Sequence, residues 1–204
     1  MAERPPAMGL RIYDYRLRTD ELGGFDGMRI TTVARTGFDI ARRRPLDAAI
    51  ANLDALGNAT GLQTPDILRI AREHWGSRGL RQLAKVLDLY DPGAASPKET
   101  WLRLLVIRND YPRPRTQIPV TSADGRRRYY LDMGWDDLML ALEYDGEHHR
   151  LNPDQYRYDI QRSEDLYELG WTRLRVVKTN TSVDILRRLA RAWRSRLRPD
   201  RENF

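Results

Sequence analysis

The feature that most constrains this chain is a change of hydrophobic rhythm at Asp91-Pro92-Gly93-Ala94-Ala95. Upstream, apolar residues recur at helical spacing. Downstream they fall into short runs separated by turn residues, alternating with helical stretches. A Pro-Gly break between two such patterns predicts a mainly helical N-terminal domain over residues 1–93 and a mixed α/β domain over 94–204. At 204 residues the chain is long enough for one large core or two small ones.

In the first half, residues 1–30 read as irregular or short extended structure, with Ile12 to Leu17 as one candidate strand and turns at Gly23-Gly24 and Gly27. Thr31 and Thr32 offer caps for a helix through Arg42. Pro45 opens a second helix that Gly57 is expected to stop, and Thr64-Pro65-Asp66 opens a third. A fourth carries Leu80, Leu83, Ala84, Leu87 and Leu89. Nothing here reads as catalytic, and His74 is expected to complement a helix C-terminus. In the second half, Ser96-Pro97-Lys98-Glu99 opens a helix. Strands are expected over Thr116–Val120, Arg128–Met133, Leu138–Tyr144 and Trp171–Val177, with helices over 152–169 and 181–198. The order is α-β-β-β-α-β-α.

Composition removes several classes of function. Cysteine is absent, so there is no disulfide, thiolate metal site or thiol nucleophile. The longest apolar run, Leu138 to Leu142, is far too short to span a bilayer, and no signal-peptide core is visible, so a cytoplasmic protein with no membrane partner is expected. The formal charge is +6, carried almost wholly by arginine, since Lys85, Lys98 and Lys178 are the only lysines. Arginine binds phosphate through a two-pronged fork, which leans toward nucleic acid; a codon bias replacing lysine is the plain alternative.

Asp132 and the run Leu142-Glu143-Tyr144-Asp145-Gly146-Glu147-His148-His149 concentrate acids and imidazoles where two strands are expected to end. Glu143 and Asp145 are two apart, so on a strand their side chains share a face. Acidic oxygens and an imidazole at one sheet edge, beside a basic surface, suit a Mg²⁺-dependent phosphodiesterase. Such carboxylates raise one another's pKa unless a cation sits among them. The plain alternative is a solvated turn rimmed with acids. His148 and His149 titrate near neutrality, so either suits a general base or an acid for the leaving oxygen. Gln117 either points into this site or hydrogen-bonds on a sheet face.

The element order and these acids make residues 96–180 resemble the restriction-endonuclease-like fold and its PD-(D/E)XK nucleases. More narrowly, they resemble the Vsr-like group of bacterial nuclease domains, whose signature E-x-D-G-x-x-H stands here as Glu143 to His149. Its later part, D-x-x-R-x-x-x-L-x-x-x-G-W, stands as Asp159, Arg162, Leu166, Gly170 and Trp171. The resemblance implies a four-stranded mixed sheet flanked by helices. It also implies that Asp132, Glu143 and the Tyr144 carbonyl hold Mg²⁺ or Mn²⁺, hard cations that prefer oxygen donors. His149 takes the motif's histidine position. The lysine that commonly ends the PD-(D/E)XK motif is Asp145 here, a replacement the family variant tolerates but which leaves open the group that orients the nucleophile. Glu99 matches a first-helix glutamate that reaches the metal through water; it also completes a capping box with Ser96. Asp159 and Arg162 face the active site or DNA if the resemblance holds, and otherwise form a plain helical pair.

Arg126, Arg127 and Arg128 flank the hairpin before Asp132, and Arg150 follows the histidines; with Arg162 they are the candidate nucleic-acid contacts. The arginines of the last helix, from Arg187 to Arg198, suit either a phosphate-tracking surface or a solvated helix face. Arg29 to Arg42 resembles a segment of actinobacterial abortive-infection type IV antitoxin-like proteins, in which a winged helix precedes this region and a nuclease-like domain follows. No winged helix is recognisable here. The readings together predict a metal-dependent endonuclease acting on DNA, with RNA as a weaker option. The rival is a non-catalytic, antitoxin-like DNA-binding regulator on a nuclease scaffold. Oligomeric state is unconstrained, and a dimer is compatible with the sequence.

Overall fold

The computed structural model describes residues 17–146 and 153–197, apart from the side chains of 153–156. The candidate strand Ile12 to Leu17 falls almost wholly outside this range. Where irregular or short extended structure with turns was expected, β1 (Leu22–Phe25) and β2 (Met28–Thr31) form an antiparallel hairpin. Asp26 and Gly27 both take positive φ, 47° and 74°, as a two-residue hairpin loop demands. Thr31 therefore ends a strand, and Thr32 alone caps α1 (Val33–Arg43), its hydroxyl accepting from the Arg35 N–H at 3.4 Å.

Helix α2 (Leu46–Thr60) runs through Gly57, the expected stop, and ends at Gly61 with φ 69°. Gly57 serves packing instead: a Cβ there would lie 1.8 Å from the Tyr90 hydroxyl. Helices α3 (Thr64–Glu73) and α4 (Leu80–Leu89) complete the bundle around Phe38, Ile50, Leu53, Ile67, Ile70 and Val86, all fully buried. His74 caps the end of α3 but spends its ring on a carboxylate. It bonds the buried Glu21, which also takes Arg35 at 2.5 Å.

Helix α5 (Pro97–Ile107) is apolar on opposite sides. Leu104 packs into the helical bundle, while Leu102 and Val106 pack under the sheet. That sheet contains β3 (Arg115–Thr121), β4 (Arg128–Trp135), β5 (Leu140–Asp145) and β6 (Thr172–Val177), in that spatial order. The first two pairings are antiparallel and β5–β6 is parallel. A parallel neighbour needs a crossover, and α6 (Pro153–Glu168) supplies it. Strand β5 starts later than Leu138 because Asp136–Leu138 forms a 3₁₀ turn. Leu166 of α6 joins Ile118, Tyr129, Leu131 and Ala141 on one side of the sheet. Helix α7 (Ser182–Leu197) joins α5 on the other through Ile185 and Leu189.

The protein is thus α/β, with a four-stranded mixed sheet flanked by helices behind a mainly helical region, as the element order predicts. Among the described residues no helix is long and apolar enough to cross a membrane.

Candidate functional site

Strands β4 and β5 pair only over Met133–Trp135 and Leu140–Leu142. Beyond Met133 and Leu142 they part, β4 keeping to β3 and β5 to β6. Asp132 and Glu143 are the next residues along each strand, so the acids stand at a fork in the sheet rather than at strand ends. The Asp132 carboxylate replaces the lost ladder bond, accepting the Tyr144 N–H at 2.8 Å. Within a strand the N–H and C=O of one residue face the same edge, so the Tyr144 carbonyl also faces β4.

The β3–β4 register places Gln117 opposite Asp132, between the pairs Thr116–Met133 and Ile118–Leu131. Gln117 has φ 47°, a left-handed conformation that costs a non-glycine residue free energy and tends to persist at functional sites. This kink is where the buried side chains of β4 change partners: Leu131 packs with α6 and Met133 with α5 and α7.

Around the fork lies a cleft of about 330 Å³. Asp132, Glu143, Asp145 and Asp159 supply its acids, Arg128, Arg162 and Arg175 its bases, and Tyr130 and Tyr158 its half-exposed rings. Burial pushes the Asp132 carboxyl up to about 7, and the nearby Glu99 and Glu143 charges push it the same way. Glu143 is 5% exposed and clasped from two sides. Arg162, on α6, bonds Oε1 and donates to the Tyr130 carbonyl at 2.8 Å. Arg173, on β6, donates to Oε2 at 3.1 Å and to Ser163 Oγ at 2.6 Å. Asp145 pairs with Arg175 at 3.3 Å.

Glu99 takes part in the α5 cap, but the reciprocal capping box does not close, because its carboxylate takes the Ala95 N–H in place of that of Ser96. Its N–H donates to Ser96 Oγ at 3.2 Å, and its carboxylate accepts from the Ser96 hydroxyl at 2.9 Å and the Ala95 N–H at 2.8 Å. It reaches Asp132 only as a nearby charge. Arg127 is spoken for by Asp165, at 2.9 and 3.3 Å, in a knot with Tyr129 and Gln161. Arg126 is exposed at the hairpin turn, away from the cleft lining, whereas Arg128 lies 5.3 Å from the Tyr130 ring and does line it. Glu147, His148, His149 and Arg150 lie outside the described residues. On α7, Arg188 and Arg196 hold the carbonyls of Arg175 and Gly170.

Sequence reasoning missed Arg173, Arg175, Tyr130 and Tyr158. Arg173-Leu174-Arg175 alternates, so both arginines leave β6 on one face, and β6 lies parallel to the strand bearing Glu143. That alternation was the available signal.

Among the described residues no three acidic or imidazole side chains converge as a ready metal site. The donor chemistry nevertheless fits a hard divalent cation. Asp132 and Glu143 flank the fork and the Tyr144 carbonyl faces it, oxygen donors of the kind such an ion takes, while the Arg162 and Arg173 guanidiniums supply the positive charge on Glu143.

No protein-family model and no solved structure matches this chain. It is similar to two uncharacterized Mycobacterium tuberculosis proteins, MT2308 of strain CDC 1551 and Rv2248 of strain H37Rv. Each is 30% identical over 183 residues, 90% of this chain. The chain spans 65% of the length of these relatives.

Proposed function

We propose that this chain is a Mg²⁺- or Mn²⁺-dependent endonuclease that hydrolyses phosphodiester bonds in DNA. The observation that carries the reading is Asp132: a half-buried acid at a sheet fork, lining an open cleft with Glu143 beside it and a charge it cannot comfortably hold alone. A pure binder of phosphate gains nothing from acids facing the backbone, whereas a cation relieves them.

Asp132, Glu143 and the Tyr144 carbonyl would hold the ion, which supplies charge stabilisation at the phosphoryl oxygens and a more acidic water. Arg173 and the Tyr144 N–H fix the two carboxylates in place. Arg128 and Arg175, both at the cleft, suit phosphates flanking the scissile one. His148 and His149 follow the cleft residue Gly146 closely in sequence and are the candidates for moving the proton, the role left open by Asp145 in place of lysine. Glu99 is proposed as a cap that tunes Asp132 through charge alone.

The second reading is a non-catalytic nucleic-acid-binding protein, favoured by the clasp of two arginines on Glu143. The test is cleavage of plasmid and of DNA and RNA oligonucleotides with Mg²⁺ or Mn²⁺. Wild type should cut DNA, and Asp132→Ala and Glu143→Ala should not. Failure of wild type to cut, or equal cutting by both variants, would overturn the enzyme. A gel-shift affinity that falls steeply with salt, without cleavage, would then support the binder.

A further inference from the structure

The two arginines on Glu143 are not equivalent. Arg173 comes from the sheet itself, stays out of the cleft lining and is tied down by Ser163, whose hydroxyl donates to the Asp159 carbonyl at 2.6 Å. Arg162 comes from α6, lines the cleft, and has a side chain 18% exposed against 11% for Arg173. Besides Glu143, it donates to the Tyr130 backbone carbonyl.

Charge balance makes the difference matter. At the cleft four acids, Asp132, Glu143, Asp145 and Asp159, already face four guanidiniums, those of Arg128, Arg162, Arg173 and Arg175. A divalent ion added to that set leaves an excess of two positive charges within a few ångströms, where the effective dielectric is low. Release of one guanidinium reduces the excess, and a substrate phosphate arriving beside the ion removes what remains. A guanidinium fork fits a phosphate as well as it fits a carboxylate, so a released arginine has a partner of the same geometry waiting. Arg162 lines the cleft and is tied otherwise to a backbone carbonyl, so it exchanges at lower cost than Arg173, which Ser163 also holds outside the cleft lining.

We propose that Arg162 is an exchangeable counterion of Glu143. It guards the carboxylate while the cleft is free of nucleic acid and transfers to a phosphate oxygen of the substrate, opening Glu143 to the metal. Arg173 stays in place as the positioning residue. This rests on the metal-dependent reading above and adds a consequence: nucleic acid and metal bind cooperatively, and Arg162 carries the coupling.

The test is calorimetric titration of Mn²⁺ into wild type, Arg162→Gln and Arg173→Gln, with and without a phosphorothioate DNA oligonucleotide that resists cleavage. Thermal unfolding checks that each variant folds. Without DNA, Arg162→Gln should bind Mn²⁺ about fivefold more tightly than wild type, the low end of the coupling between two competing cations. Arg173→Gln should bind about 10- to 100-fold more weakly, as loss of a ligand's supporting partner does. DNA should tighten Mn²⁺ binding to wild type, and that gain should shrink in Arg162→Gln. Equal or weaker Mn²⁺ binding by Arg162→Gln, or an undiminished effect of DNA, would overturn the proposal. Should Arg162→Gln fail to fold, Arg162→Lys replaces it: a point charge grips the carboxylate less well, so tighter Mn²⁺ binding is again expected and unchanged binding again refutes. If wild type cuts DNA and binds Mn²⁺ while the variant does not differ, only the counterion role falls. If wild type does neither, the metal-dependent reading falls with it.

Discussion

Asp54 and Glu143 are both buried carboxylates held by arginine, and their surroundings differ in one respect that decides what each is for. Asp54, on α2, faces α5, taking Arg103 at 2.6 Å, the Thr100 hydroxyl at 2.8 Å and the Asp91 N–H at 2.8 Å. Arg103 is itself buried and reaches the Leu89 carbonyl. Every partner is fixed, and neither side chain lines the cleft. Glu143 has one such fixed partner, Arg173, and one that lines the cleft, Arg162. A carboxylate enclosed on all sides holds the helices to the sheet domain; one with a removable partner is equipped to bind something else.

The largest expected contrast is in stability. Asp54→Ala strands a buried guanidinium and should cost about 3–5 kcal/mol in denaturant unfolding. Arg162→Gln leaves Glu143 still held by Arg173 and should cost less, about 1–2 kcal/mol. Similar losses from both would erase the distinction.

Next comes activity. Asp132→Ala should lower DNA cleavage by more than about 100-fold, the upper end of what losing a ligand's mere supporting partner costs. Asp54→Ala protein that remains folded at low temperature should cut normally. The Ser96–Glu99 cap separates structure from chemistry more finely. Ser96→Ala should cost about 1 kcal/mol of stability and leave cleavage within about twofold. A far larger loss of cleavage would mean that Glu99 does more at the site than cap α5.

The smallest effect is one of pH on the metal-free protein. Asp132 titrates near 7 when folded, well above the roughly 3.9 of an unfolded aspartate. Between about pH 4 and 7 the folded state therefore keeps a proton that the unfolded chain has released, so stability falls as pH rises through that window. Asp132→Asn should flatten that part of the profile in thermal unfolding. An unchanged slope would place the desolvated charge elsewhere.

Much of this was legible in the residues. Caps, turn glycines and helical spacing locate α1 to α7, and short apolar runs locate the sheet. Asp132 and Glu143 are the acids that the fork brings together. The hairpin of β1 and β2 went unread because its strands are four residues long and mostly exposed, so burial left no alternating pattern; only Asp26-Gly27 marked it. The clasp on Glu143 was hidden for another reason. Arg162 was named for a phosphate, but its carboxylate partner depends on how α6 packs over the sheet. Arg173 reaches Glu143 only through the parallel register of β5 and β6, which the crossover sets and local spacing does not encode. Gln117 shows the same limit, since its left-handed backbone is imposed by the fork opposite it and not by its own preference.

The most direct test of the central claim is to grow crystals with Mn²⁺ and a non-cleavable DNA oligonucleotide and to measure anomalous scattering at the fork. The account predicts a peak bound by Asp132 and Glu143, with Arg162 turned away to a phosphate and Arg173 unmoved. Bound DNA with no peak between these carboxylates, and Arg162 still on Glu143, would contradict it.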